Sequence, residues 1–411
     1  MSKHLFVLLV LSIQASISYS QCEDGRYTEF IFPSWEVTTD VVYGQNLDLN
    51  GANEQLKMDV YVPSGDASTS RALVVLCHGG YFLFGDKAEA DVLPFCHDLT
   101  RMGYVVASIN YRMGIQFQFP LNEPYGRAVV RAVQDARAAI RWFRQDVAAG
   151  NQFGIDPTQV YVGGDSAGGV LSIHLAYMDE EEVPDYIDMS YPGLEGGLEG
   201  NSGNPGYSSD VNAIFSISGA IGDTTWIDAG EKPVCLFHGS ADTTVPFDSG
   251  TFYLFGLTPV VDLDGSNAMD PKLTEVGIEH CFEINEGLGH VAYMGNAAVY
   301  DTTLSILTGF LSHFICGSEL TCEYNAIGTS VVETSKENLQ LFPNPAKHNV
   351  RVNSGFNGPS VIDIFDATGR LTFHTSGMLP LELNIENYFP GMYVVQVRDA
   401  LGVHRQKLVV E

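Results

Sequence analysis

Predominantly apolar runs recur along the first part of the chain and alternate with stretches of helical period. Ala72–Cys77, Tyr104–Ile109, Val160–Val162, Val211–Ile217 and Val234–His238 are short and rich in branched residues. Such runs predict strands buried on both faces. Cys281–Ile284 predicts the last of them, and Met58–Pro63 alternates as an antiparallel strand does. Helical spacing covers Ala88–Met102, Tyr125–Val147, Val170–Ala176 and Asn296–Phe314. Strands separated by helices at this rhythm predict an α/β domain, with a mostly parallel sheet and helices on both faces.

Two stretches break the rhythm. Residues 179–210 are rich in Gly, Glu, Pro and Asn and too long for an ordinary connection, which predicts a surface insertion or lid. Residues 321–335 are a polar linker. Beyond it the pattern changes to short β-type segments separated by turn residues: Val350–Val352, Val361–Phe365, Arg370–Phe373, Met392–Val397 and Gln406–Val410. Residues 336–411 are therefore expected to form a small antiparallel β-sandwich. On the long helix, Arg127, Arg131, Arg137 and Arg141 are expected to point outward as a solvated face. The acidic run Asp179, Glu180, Glu181, Glu182 and Asp185 reads as a solvated charge run, because it lacks the ligand spacing of a calcium loop.

Composition narrows the partners. A formal net charge of −29 over 411 residues excludes nucleic acid and anionic membrane surfaces, which need clustered Lys and Arg. Residues 1–20 read as an export signal: Lys3 and His4, then apolar Leu5–Leu11, then the small-x-small site Ser18-Tyr19-Ser20. No segment reaches the roughly 18 apolar residues of a membrane span. Cys22 follows the cleavage site, but Tyr19, Ser20 and Gln21 do not form a lipobox. Seven cysteines in an exported chain leave at least one unpaired. Cys77 and Cys235 end apolar runs as buried thiols, and Cys281, Cys316 and Cys322 are the disulfide candidates.

The candidate chemistry centres on Gly164-Asp165-Ser166-Ala167-Gly168, which fits G-x-S-x-G between a strand and a helix. That turn presents a nucleophilic Ser at the edge of a sheet, with Gly164 and Gly168 where no Cβ fits. A base and an acid should follow in the order Ser, Asp or Glu, His. His290, in a glycine-rich loop after the last predicted strand, is the expected base. Of the other histidines, His78 and His238 follow strands, His280 and His313 lie within elements, and His174 sits about two turns beyond Ser166. Asp242, in the loop after a buried strand, is the expected acid; Asp248 is the runner-up. The loop His78-Gly79-Gly80-Tyr81 should supply oxyanion donors from Gly80 and Tyr81, opposite the N–H of Ala167. Asp165 is expected to hydrogen-bond within the motif. No cofactor or metal is called for.

Together these residues resemble the α/β-hydrolase carboxylesterases, in the branch with a His-Gly-Gly loop and a Gly-Asp-Ser-Ala-Gly turn. That branch contains hormone-sensitive-lipase-like esterases and bacterial acetyl or feruloyl esterases. The resemblance runs over about residues 55–315 and implies a serine esterase domain at 21–320. Tyr81 departs from it, standing where many relatives have a third glycine. At the other end, Leu341–Ala346, Asp366–Arg370, Pro390–Val395 and Gln406–Val410 resemble the C-terminal sorting domain of the type IX secretion system of Bacteroidetes. This implies a secreted or cell-surface enzyme handled by that machinery. By analogy its substrate is a small-molecule or polysaccharide-linked ester. Open alternatives are a polyester depolymerase or lipase-like esterase, a serine peptidase, and a non-catalytic surface-binding protein.

Overall fold

The computed structural model describes Cys22 and residues 24–325, 339–353, 359–366, 371–386, 388–399 and 402–410. The predicted leader, residues 1–20, and positions 326–335 of the predicted linker lie outside the described residues.

Among the described residues, eleven strands precede the linker. They are β1 (Trp35–Leu47), β2 (Asn53–Pro63), β3 (Arg71–Cys77), β4 (Val105–Ile109), β5 (Ile155–Asp165) and β6 (Ala213–Ile217). Next come β7 (Ala220–Ile221), β8 (Val234–Gly239), β9 (Ser249–Leu254), β10 (Thr258–Gly265) and β11 (His280–Asn285). Eight of them form one sheet in the order β1-β2-β4-β3-β5-β6-β8-β11. β1–β2 and β2–β4 pair antiparallel, and every later pair is parallel. All seven residues of β3 are buried. Its Leu73, Val75 and Cys77 enter one core, and Ala72, Val74 and Leu76 enter the other. A period of two with no polar face is what a strand between two helical layers requires. Each such side chain contributes about 1.5–3 kcal/mol of transfer free energy.

Five helices make those layers: α1 (Leu93–Arg101), α2 (Asn122–Ala149), α3 (Ala167–Tyr177), α4 (Ser266–Val276) and α5 (Ala297–Cys316). Residues of α2 and α3 pack into the first core, and residues of α1 and α5 into the second. α1 begins later than the expected residue 88, with Pro94 in its first turn, where no backbone N–H is missed. Beside the main sheet stands a small one, β7-β10-β9, which apolar runs did not foretell. Its strands alternate weakly between buried and exposed, and α4 behind it contains Pro271. None of the described helices is long and apolar enough to cross a membrane.

Two disulfides tie the ends of this region, Cys22–Cys316 and Cys281–Cys322. The predicted candidates are all paired, Cys22 being the fourth partner. Cys77, Cys96 and Cys235 are free and buried.

The expected solvated face of α2 needs correction. Arg127, Arg131 and Arg141 are buried, because residues 179–210 lie over them. The Arg141 guanidinium donates to the carbonyls of Gly203 and Glu199 and pairs with the Glu199 carboxylate. Arg137 reaches Glu199 and Ser209, and Arg127 covers the Tyr191 ring at 4.0 Å. Beneath them is a fully buried pair. Arg112 Nη2 lies 2.8 Å from Asp135 Oδ1, and Arg112 Nη1 donates to the Gly193 carbonyl at 2.6 Å. Ser202 donates to the same Asp135 oxygen. Of the acidic run, Glu180 accepts from Leu198 N and Glu182 from Asp179 N. Among the described residues no three potential ligand side chains gather as a metal group would.

Seven strands follow the linker: β12 (Gln340–Phe342), β13 (Asn349–Asn353), β14 (Pro359–Asp366), β15 (Leu371–Met378), β16 (Leu381–Asn384), β17 (Gly391–Asp399) and β18 (Gly402–Val410). They form antiparallel sheets of three (β12-β13-β16) and four strands (β15-β14-β17-β18) around one core of Val350, Val352, Ile362, Ile364, Val395, Val397 and Leu408. This is the small β-sandwich expected. The motif residues 367–370 lie outside the described residues.

Breaking the buried pair leaves an uncompensated charge, so Asp135→Ala is expected to lower unfolding stability by about 3–5 kcal/mol. Urea melts of the two proteins check this, and a loss under about 1 kcal/mol would contradict the role given to the pair.

Candidate active site

β5 delivers Ser166 at the carboxyl edge of the sheet, and α3 starts one residue later. Ser166 sits at φ 51°, ψ −115°, a conformation L-residues avoid. A Cβ on Gly164 or Gly168 would collide with the Cys77 carbonyl at the end of β3. The two glycines thus let the turn close against the neighbouring strand. Ser166 N donates to Ile217 O at 2.8 Å, which pins the turn to β6 as well.

The expected acid and base lie after the two strands beyond. Asp242 lies in the loop after β8, and His290 in the loop after β11. The loops are tied to each other by Ala241 N to Leu288 O, 2.9 Å, and Ser240 N to Asn285 O, 3.2 Å. Any Cβ on Gly239 would strike the Leu288 and Gly289 carbonyls. His290 Nδ1 stands 2.7 Å from Asp242 Oδ2, and His290 Nε2 stands 2.8 Å from Ser166 Oγ. Three side chains separated by 124 and 48 residues therefore share one hydrogen-bonded line. Burial would raise the Asp242 carboxyl, but donation from His238 and His290 outweighs it and holds the group below the usual carboxylate range. Its other oxygen accepts from Thr244 N and Val245 N at 2.8 and 3.1 Å. The carboxylate of the runner-up Asp248 instead accepts from Ser249 N, and its backbone carbonyl accepts from Gly265 N.

His78, Gly79, Gly80 and Tyr81 follow β3 and face Ser166. A Cβ on Gly79 would stand 3.4 Å from that of Ser166. Gly80 has φ 113° and Tyr81 φ 60°. Among the described residues, no protein group accepts the N–H of Gly80, Tyr81 or Ala167. His78 is buried and stacked on Tyr111 at 4.5 Å, with Nδ1 2.7 Å from the Gly79 carbonyl. Burial lowers its pKa, so it supports the loop as a neutral ring.

Three features escaped the sequence reading. Asp91 accepts from Gly79 N at 2.8 Å and hydrogen-bonds the Asp165 carboxyl. Burial, followed by the neighbouring Asp91, pushes Asp165 well above the usual carboxylate range. An aromatic face also flanks the loop. Tyr81 meets Phe255 at 5.1 Å and Phe84 and Phe252 at 6.0 Å, and Phe84 and Phe255 are about half exposed. Phe252 and Phe255 belong to the β9–β10 hairpin that was not foreseen. The third is His238, fully buried against Asp242; its spacing in His238-Gly239-Ser240-Ala241-Asp242 was the available signal.

Residues 58–223 match the family model BD-FAE, and residues 340–411 match the model described as Secretion system C-terminal sorting domain. Residues 58–223 are thus similar to the BD-FAE family and residues 340–411 to the secretion sorting domain. Among curated proteins it is similar to Esterase-5C of Drosophila persimilis, 28% identical over 64% of this chain and 45% of that protein. It is also similar to the arylacetamide deacetylase of Oryctolagus cuniculus, 36% identical over 28% of this chain and 27% of that protein. The matched segments span less than half of these curated relatives. Among solved structures, the apo form of Thermogutta terrifontis esterase 2 aligns at 24% identity and TM-score 0.48, over 69% of this chain and 95% of its own.

Because Asp165 keeps a proton that the unfolded chain gives up, its contribution is complete below the ordinary carboxylate range, near pH ~4. It is lost as pH rises toward the elevated folded value. In Asp165→Asn that loss is absent, so the thermal midpoint is expected to fall less than in the wild type between about pH 5 and pH 8. Parallel slopes in differential scanning calorimetry would contradict the assignment.

Proposed function

We propose that this protein is an exported serine carboxylesterase that hydrolyses esters through an acyl-enzyme. The observation that carries the reading is the line Ser166–His290–Asp242, at 2.8 and 2.7 Å, opening beside unpartnered backbone N–H groups. The matches to the BD-FAE model and to curated esterases support the same reaction class.

In this reading Ser166 Oγ attacks the ester carbonyl carbon as His290 Nε2 takes its proton. Asp242 holds the Nδ1–H and stabilises the imidazolium. The N–H groups of Ala167 and of Gly80 or Tyr81 bind the oxyanion, in a site where prior orientation spares reorganisation. The alcohol leaves with the proton from His290. Water then attacks the acyl-enzyme, giving its proton to the same nitrogen, and the acid is released as Ser166 Oγ leaves and takes that proton back from His290.

Residues 1–20 are proposed as the export leader, 21–320 as the catalytic domain, 321–335 as the linker and 336–411 as the sorting domain. The secretion sorting model at 340–411 supports a secreted or cell-surface location by the type IX route. The aromatic face of Tyr81, Phe84 and Phe255 favours an ester with a planar aromatic part, such as a feruloyl group on a polysaccharide, over a bare acetyl group.

The test is hydrolysis of p-nitrophenyl acetate and of methyl ferulate by wild type, Ser166→Ala and Tyr81→Ala. Ser166→Ala is expected to lose at least about 10³-fold in kcat on both. Tyr81→Ala is expected to raise KM for the ferulate by about tenfold and to change the acetate less. A folded wild type inert on every ester would overturn the esterase reading. Equal effects of Tyr81→Ala on both esters would overturn the aromatic preference.

A further inference from the structure

Asp242 is held by a second histidine. His238 closes β8 and is completely buried. Its Nε2 lies 3.3 Å from Asp242 Oδ2, the same oxygen that His290 Nδ1 reaches at 2.7 Å. It also lies 3.4 Å from the Val245 carbonyl. On the far side of the ring, Nδ1 is 2.9 Å from Ser266 Oγ. The Phe247 ring meets it edge-on at 5.6 Å. Asp242 is thus the charged group facing His238, and the other neighbours are a carbonyl, a hydroxyl and a phenyl ring.

The donors and acceptors fix the protons. A carbonyl and a carboxylate oxygen both accept, so the ring hydrogen sits on Nε2. Nδ1 then accepts from the Ser266 hydroxyl. Ser266, His238, Asp242, His290 and Ser166 thus form one line of polar contacts, hydrogen-bonded throughout except at the 3.3 Å contact of His238 with Asp242. Asp242 receives three hydrogen bonds, from Thr244 N and Val245 N on Oδ1 and from His290 on Oδ2, and His238 Nε2 abuts Oδ2 at 3.3 Å. A carboxylate so loaded can neither rotate nor slide, which keeps Oδ2 aimed at His290 Nδ1. Ser266 opens α4, which follows directly on the hairpin carrying Phe252 and Phe255. Asp242 is therefore linked, through His238, to the helix that follows the hairpin carrying Phe252 and Phe255.

We propose that His238, fixed by Ser266, is a positioning residue for the reaction: it orients the Asp242 carboxylate and shares its charge with His290. The proposal rests on the esterase reading of Ser166, Asp242 and His290. With His238 gone, Oδ2 loses the polar imidazole edge that abuts it. The carboxylate is free to turn, which lowers turnover. Its undivided charge falls on His290, which makes that imidazole more basic. Substrate contacts are untouched.

The experiment compares wild type, His238→Phe, His238→Gln and Ser266→Ala on one p-nitrophenyl ester across pH, with Ser166→Ala as the blank. His238→Phe fills the space without a donor, and kcat is expected to fall about tenfold or more with KM within about twofold. The acid limb of kcat/KM is expected to move up by about half a pH unit. His238→Gln places an amide nitrogen near the lost Nε2 and is expected to restore kcat to within about threefold of wild type, with the limb unshifted. Ser266→Ala, which leaves Nδ1 without its donor, is expected to lower kcat by about threefold and shift the limb the same way. It serves as the deciding variant if His238→Phe does not fold. Folded His238→Phe or Ser266→Ala enzymes with wild-type kcat and acid limb would overturn the proposal while leaving the esterase reading intact. A folded wild type no more active than Ser166→Ala would overturn both.

Discussion

The site depends on how closely three strand ends approach one another at Ser166. β3 ends with the Cys77 carbonyl against the turn, and only glycine at 164 and 168 leaves room for it. β6 supplies the acceptor for Ser166 N from Ile217. Held from both sides, the serine backbone stays at φ 51°, where its side chain stands clear of strand and helix. Such a conformation costs of order 1–3 kcal/mol and survives only when its surroundings leave no alternative. The surroundings here are the doubly buried strands of a parallel sheet, among the least deformable parts of a fold.

The same edge carries the other parts. His290 and Asp242 arrive on loops whose backbones bond to each other, so their separation is set by the pairing of β8 with β11. The Cys281–Cys322 disulfide fastens the start of β11 to the chain beyond α5. On the opposite side the His78–Tyr81 loop is propped by Asp91, Asp165 and neutral His78. The Asp165 carboxyl, held well above the usual carboxylate range by burial, stands next to Ser166 in the chain. Burying it ionised would cost far more than keeping its proton.

Much of this was legible in the chain because the signals were physical extremes. A strand buried on both faces must be apolar throughout, and Ala72–Cys77 is. A turn too tight for Cβ must use glycine, and residues 164 and 168 do. The β9–β10 hairpin was not legible, since its faces are half exposed and Pro259 and Pro271 blur the pattern. The arginines of α2 were misread for a different reason. Helical period separates a charged face from an apolar one, but does not tell what lies over the charged one. Here residues 179–210 supply carbonyls and Glu199 that turn the face inward. His238 was passed over although its spacing from Asp242 was a signal, because its other nitrogen meets Ser266, 28 residues away, which spacing does not reveal. The disulfide pairs likewise depend on where the sheet brings Cys22 and Cys281.

The most direct test of an activated Ser166 needs no knowledge of the natural ester. Diethyl p-nitrophenyl phosphate phosphorylates a serine that has a base and an oxyanion site, and releases one p-nitrophenolate for each adduct. Intact-mass analysis after treatment, with peptide mapping, is predicted to find one diethylphosphoryl group, on Ser166, and none in His290→Ala. A folded wild-type protein left unmodified, or labelled at another residue with Ser166 untouched, would contradict the account.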